Sequence, residues 1–239
     1  MNDYPTMARA GISYLPYILF IGVALISWIV QLNFQNKFKK YSQLLMTNGM
    51  TGKQVAEKML RDNGIYDVSV ISTNGQLTDH YNPQNKTVNL SESVYGSNSV
   101  AAAAVAAHEC GHAVQHATAY APLQMRSRLV PAVSFASKWV QWILLAGILL
   151  IQSFPSLMLI GIILFAITTL FSIITLPVEI NASQRALAWL NSSGLTDYEN
   201  GEAAKGALKA AAYTYIIAAI SSMATLFYYL MIFLGSRRD

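Results

Sequence analysis

Ala101-Ala-Ala-Ala-Val-Ala-Ala-His108-Glu109-Cys110-Gly111-His112-Ala-Val-Gln-His116 is an alanine-rich stretch that carries His-Glu-x-x-His. Its composition predicts a helix, on which a step of four residues turns about 400°, so His108 and His112 share one face about one turn apart. Two imidazoles so placed can hold one metal ion. Glu109 lies beside that face, where a carboxylate can take a proton from a water that zinc has made acidic and pass it to the leaving amine of a peptide. The pattern therefore points to peptide-bond hydrolysis with His108 and His112 as metal ligands and Glu109 as catalytic base. The competing reading is two helix histidines paired with polar neighbours in a core.

Composition sets the surroundings of this helix. Of the 239 residues, 54% are hydrophobic and 12% are charged, which places the chain in a lipid bilayer. A single cysteine, Cys110, excludes an internal disulfide and a cysteine-based zinc cluster. Two residues beyond His108 it lies about 200° round the helix and points elsewhere, as a small buried residue. The net charge of +4 fits loops that fix membrane orientation, and no basic stripe with interleaved aromatics suggests nucleic acid.

Working outward, residues 1–32 read as a polar lead and a first span, Tyr14 to Leu32, with aromatic residues near both ends. The basic region before it is thin and no small-x-small cleavage site follows, so it is expected to remain as an anchor. Residues 33–135 read as a catalytic domain. Thr51-Gly-Lys-Gln54 resembles a capping box before a helix over Val55–Arg61 that Asn63-Gly64 ends. Strands are expected around Val68–Ile71, Leu77–Tyr81 and Lys86–Ser91, with turns at Asn74-Gly75 and Asn82-Pro83, as a small antiparallel sheet. A sheet edge beside the His-Glu-x-x-His helix could hold an extended peptide by main-chain hydrogen bonds. Alanine contributes little to insertion, and three histidines with a glutamate are expensive in lipid, so this helix is expected inside the domain.

Residues 136–176 read as a transmembrane hairpin, with a short run near Trp139–Ile151 and a longer one over Leu157–Leu176. Residues 177–209 give a helix starting at Pro177 and a polar stretch, and residues 210–239 a last span and a basic tail. About four spans put residues 33–135 and 177–209 on one side. Basic residues from Lys37 to Arg128 and from Arg185 to Lys209 outnumber Arg9, Arg237 and Arg238, so that side is expected to be cytoplasmic, with both termini outward.

This topology lets a third ligand come from the later segment. His116 lies about 12 Å along an unbroken helix from His108, too far for the same ion, and reads as a rim residue or a support to a ligand. Glu179, just after Pro177, is the candidate ligand, since an anion near a helix N-terminus is favoured by the helix dipole. Its alternative role is a salt bridge to Arg185 or another basic residue. His80, on a strand candidate, could donate to the oxyanion formed during attack, or simply pair with Asp79 in a turn. Arg126 or Arg128 could bind a substrate carboxylate or serve as an orientation signal.

Taken with Leu77-Thr-Asp-His80-Tyr-Asn-Pro83, Asn89-Leu-Ser-Glu92, Tyr120-Ala-Pro-Leu and Leu176-Pro-Val-Glu179, the motif resembles the YugP-type bacterial membrane zinc metallopeptidases over most of the chain. More distantly it is similar to gluzincin membrane proteases of the HtpX and CAAX-protease group, in which the third ligand is a glutamate on a later helix in a Glu-x-x-x-Asp pattern. This chain has Glu179-Ile-Asn-Ala-Ser183, keeping the glutamate and replacing the acid by serine. That departure weakens any supporting role for Ser183.

The expected protein is a mostly α membrane protein of the cell membrane with a small α+β zincin-like catalytic domain and one catalytic zinc ion. Its expected partners are a peptide or membrane-protein substrate, the lipid bilayer, and a membrane-protein partner or second copy of itself. A scaffold or assembly factor with a structural zinc site is the rival function, under which Glu109→Gln leaves the cellular phenotype unchanged. The small residues Gly161, Ala166, Ala218 and Ser222 would permit the close helix packing it needs. A transporter is the third option, disfavoured because the spans lack charges, broken-helix signals and a repeated half.

Overall fold

A computed structural model describes the backbone of residues 5–236, with side chains described for residue 18 and for residues 20–236. Tyr14 and Tyr17 of the first apolar run, Arg9, and the Arg237-Arg238 tail lie outside the described side chains. The chain divides into two compact units, one made of residues up to 30, 128–174 and from 216 on, the other of 31–127 and 175–215.

The second unit holds most of the local structure. It takes the C-terminal end of α1 (Pro5–Tyr41), then α2 (Gly52–Asp62), β1 (Ser69–Thr73), β2 (His80–Asn82), β3 (Thr87–Ser91), α3 (Glu92–Tyr95) and α4 (Val100–Ala117). The expected capping box closes α2: Thr51 N–H donates to Gln54 Oε1 at 2.9 Å while Thr51 Oγ1 accepts from Gln54 N–H at 3.4 Å. Val55, Ala56, Met59 and Leu60 then fall on one buried face, which packs on α4. Ser99 caps α4 by accepting from Ala102 N–H. Alanines at 101–104, 106 and 107 are buried all round, so α4 is the central helix of this unit, in agreement with a helix inside the domain.

The sheet departs from the expected antiparallel arrangement. Its order is β1-β3-β2, with β1 parallel to β3 (Ser69↔Thr87) and β2 antiparallel to β3 (His80↔Asn89). Asn74-Gly75 does not close a hairpin between β1 and β2. Residues 74–79 instead form a loop, with Gly75 at φ +102° and Leu77 at φ +56°, that leads to the far side of β3. The physical reason lies in β3, where Val88, Asn89, Leu90 and Ser91 are all buried, so this strand takes the centre. The turn from β2 to β3 is the one expected at Asn82-Pro83: Asn82 Oδ1 accepts from Gln84 N–H and Asn85 N–H.

Three described helices are long and apolar enough to cross a membrane: α5 (Ala121–Leu149), α6 (Pro155–Ser192) and α7 (Tyr198–Gly235). Within the first unit, Leu144, Met158, Ile162 and Phe233 form a small core, while Leu145, Ile160 and Ile163 are exposed, as suits side chains that face lipid. Pro131 and Pro177 both lie inside helices, so the expectation that a new helix starts at Pro177 is corrected. A proline removes one helix hydrogen bond but its φ is already helical, and packing of the flanking turns carries the helix through. Glu179 therefore sits mid-helix, and the dipole argument for it does not apply.

Candidate metal centre

Gly111 on α4 sets the approach of the last part of α6. A Cβ on it would lie 2.6 Å from the carbonyl oxygen of Ala182, so only glycine lets the two backbones meet there. Gly111 precedes His112, and Ala182 precedes Ser183 and follows Glu179 by three residues. The contact brings the His108 and His112 face against Glu179. Oε2 of Glu179 lies 3.2 Å from His108 Nε2 and 3.5 Å from His112 Nε2, and the side chains are only 5%, 12% and 11% exposed, in that order.

These spacings fit a metal. Ligands bonded at 2.0–2.1 Å to a tetrahedral zinc are separated from one another by about 3.3 Å. Among the described residues His108, His112 and Glu179 form the group whose donor atoms, all within 4.8 Å of one another, could hold a metal ion. Two imidazole nitrogens and one carboxylate oxygen form a donor set suited to zinc, with a coordination position left over for solvent or substrate.

The surrounding hydrogen bonds bear on which imidazole nitrogen would face a metal ion. Gln115 Nε2 donates to Val178 O at 2.8 Å and to Asn181 Oδ1 at 3.0 Å, and Asn181 Oδ1 also accepts from Arg185 Nε at 2.8 Å. The amide of Gln115 is thereby oriented with Oε1 towards His112, whose Nδ1–H donates to it at 3.0 Å. A neutral ring with its proton on Nδ1 presents the Nε2 lone pair to a metal. Ser183 Oγ lies 3.1 Å from His108 Nδ1, so the serine supports this candidate ligand as a neutral hydroxyl that can accept from Nδ1–H. Arg126 Nη1 donates to Glu179 Oε1 at 3.2 Å, while Oε2 is the oxygen that faces both histidines. Burial alone would push the His112 imidazole down, but the Glu179 hydrogen bond and the Glu109 charge outweigh it and hold the pKa above the ordinary value.

Glu109 is buried beside this group and its Oε2 accepts the backbone N–H of Tyr81 at 3.0 Å. β2 is an edge strand, and this outward amide holds Glu109. Tyr81 is itself held through its hydroxyl, 3.2 Å from His116 Nδ1, so His116 stands outside the ligand group and supports the strand that orients Glu109. His80 is exposed on β2 and its Nδ1–H donates to Thr78 O at 2.8 Å, which leaves no proton on Nε2 of the neutral ring. Asp79 does not pair with it; its carboxylate accepts from Ser91 N–H at 2.7 Å and from Ser91 Oγ. Cys110 donates weakly to Ala56 O, and burial pushes its thiol well above the usual range, so it stays protonated. Arg128 is exposed.

Arg126 and Gln115 were not expected as supports of the ligands, and neither was the Arg185 to Asn181 link. One signal was available for Gln115: it is a polar residue three positions after His112 on an alanine-rich helix.

Comparison with known proteins agrees with this geometry. The family model described as "Putative neutral zinc metallopeptidase" matches residues 16–234. The chain belongs to this metallopeptidase family. It is also 41% identical over 223 residues to the "Putative membrane protease YugP" of Bacillus subtilis (strain 168), covering 92% of this chain and 98% of that relative. No solved structure matches the chain. Membership of a zinc metallopeptidase family and a buried two-histidine, one-glutamate group point to the same metal.

Proposed function

We propose that the protein is a membrane-embedded, zinc-dependent endopeptidase that hydrolyses peptide bonds of membrane or membrane-proximal proteins. The observation that carries this reading is the convergence of three buried donors, with His108 Nε2 and His112 Nε2 at 3.2 and 3.5 Å from Glu179 Oε2, beside a carboxylate held by a strand amide. His108, His112 and Glu179 would hold one zinc ion. When bound, zinc supplies Lewis acidity, raising the acidity of water and polarising the carbonyl under attack.

Glu109 acts as general base and then general acid. It takes a proton from the attacking water and delivers it to the nitrogen of the departing amine, so that one C–N bond breaks as one C–O bond forms. The Tyr81 amide holds Oε2 and leaves Oε1 for this transfer. Gln115, Ser183 and Arg126 do no chemistry in this scheme; they keep the three donors aimed at one point.

The arrangement in the membrane follows from charge and hydropathy. With α1 as a fourth span, the unit bearing the site lies on the cytoplasmic side, because lysine and arginine concentrate in its segments. Metal analysis of the purified protein beside Glu179→Ala tests the ligand set, with zinc expected in the wild type and lost in the variant. Equal zinc in both would remove Glu179 from it. Zinc-loaded Glu109→Gln should not cleave, and cleavage by it would end the proposed role of that carboxylate.

A further inference from the structure

We propose that the cavity beside Glu109 is a subsite for one bulky apolar side chain of the substrate, next to the bond that is cut. This rests on the peptidase reading and extends it to a class of substrate. The cavity holds about 310 Å³ and is lined at one part by His108 and Glu109. That volume is at the lower end of the roughly 300–1,000 Å³ of small-molecule sites, enough for one large side chain and too little for a folded segment.

Its walls are mostly apolar, come from separate elements, and also carry the polar groups of Gln31, Asp79, Thr214 and Tyr215. Phe34 and Phe38 stand one turn apart on α1 with ring centroids 6.0 Å apart, facing a lining that also includes Val105 of α4 and Leu208 of α7. Two polar groups of the lining are already engaged within the chain. Asp79 accepts from Ser91 N–H and Oγ, and Thr214 Oγ1 donates to Ala211 O at 2.7 Å. Apolar residues make up the larger part of the wall, so a bulky apolar side chain is the guest it fits best.

Leu77 gives an independent sign of function. It lines this cavity, is 57% exposed, and has φ +56°, a backbone region that disfavours any residue with a Cβ. Glycine or asparagine would meet the needs of the loop at less strain. A strained leucine exposed beside a buried carboxylate is explained by a demand for its side chain there, as an edge that closes over an apolar guest.

The test uses the full-length, zinc-loaded protein in lipid nanodiscs with peptides that differ only in the residues flanking the cut bond: Phe, Leu, Ala, Lys or Asp. At one of the two flanking positions Phe and Leu should raise kcat/KM about tenfold or more over Ala, Lys and Asp. Ala211→Phe, which fills the cavity, should reduce the Phe-to-Ala ratio towards one. Leu77→Ser, an exposed change that leaves the core untouched, should lower the same ratio several-fold, mainly through KM. Wild-type cleavage of all five peptides at equal kcat/KM, or a ratio unmoved by Leu77→Ser and by folded Ala211→Phe, overturns the subsite. Binding of the same fluorescent Phe and Ala peptides to Glu109→Gln separates this inference from the peptidase reading. If no peptide is cut but the Phe peptide binds tenfold tighter and loses that advantage with Leu77→Ser, the subsite stands and the peptidase reading falls; equal binding overturns the subsite.

Discussion

Both units press helices together at a glycine, yet among the described residues only the second gathers a group that could hold a metal ion. In the first unit, a Cβ on Gly147 would lie 2.7 Å from Met158 Cα, and one on Gly161 would lie 2.8 Å from the Leu144 side chain. What flanks those contacts is apolar, and the nearby hydroxyls pair with helix carbonyls or one another: Thr168 and Thr169 bond Phe165 O, and Thr169 Oγ1 lies 2.8 Å from Ser222 Oγ. In the second unit Gly111 meets Ala182 at the same kind of distance, but the flanking residues are His108, His112, Glu179 and Ser183. Close backbone approach is thus a general packing device, and the chemistry depends on which side chains it buries together. In the apolar case the gain is dispersion and small-residue packing. In the polar case each buried group needs a partner, and the Arg185, Asn181, Gln115, His112 chain supplies them.

The contrast can be broken most sharply at Glu109. Replacing it by Gln keeps the shape of the second unit and should lower peptide cleavage by on the order of a thousandfold, with zinc per mole of protein unchanged. Next comes the orienting amide. Gln115→Leu keeps volume but leaves His112 Nδ1–H without its acceptor and Val178 O without its side-chain donor, so zinc affinity measured by competition with a chelator should fall about 10- to 100-fold.

The glycines give a matched pair. Gly111→Ala and Gly147→Ala should each destabilise the protein by about 1–3 kcal/mol in chemical denaturation. Only Gly111→Ala should also release zinc, since it alone moves Glu179 from the histidines. Equal zinc retention in the two variants would show that the α4 and α6 approach does not set the site. The smallest effect belongs to the solvated face of α2, where Lys58 and Asp62 pair at 2.9 Å one turn apart. Lys58→Ala should change stability by only about 0.3–0.5 kcal/mol and leave zinc content and cleavage alone.

Much of the second unit was legible because its signals are local. The Thr51 and Gln54 capping box, the alanine helix and the one-turn step from His108 to His112 depend only on residues within a few positions of one another. The sheet was read less well. Three strands were expected near their true places, but an Asn-Gly pair was taken for a hairpin, and strand order follows from the burial of β3. Pro177 was read as a helix start by its usual role, whereas packing carried α6 through it. Glu179 stands beside both histidines through the packing of α6 on α4, mid-helix and far from the α6 N-terminus that would attract the carboxylate.

By itself the sequence determined a chain rich in membrane-length apolar helices, a buried alanine helix with two histidines on one face, and a glutamate beside them. Periodicity and composition suffice for these, because turn-by-turn geometry is set by the backbone. Tertiary structure alone decided that Glu179, 71 residues from His108, meets it within 3.2 Å, that Arg126 and Gln115 aim the donors, and that an apolar cavity opens beside Glu109. Those contacts join segments with no local relation, and they exist only where close packing at Gly111 and burial force polar groups to find partners.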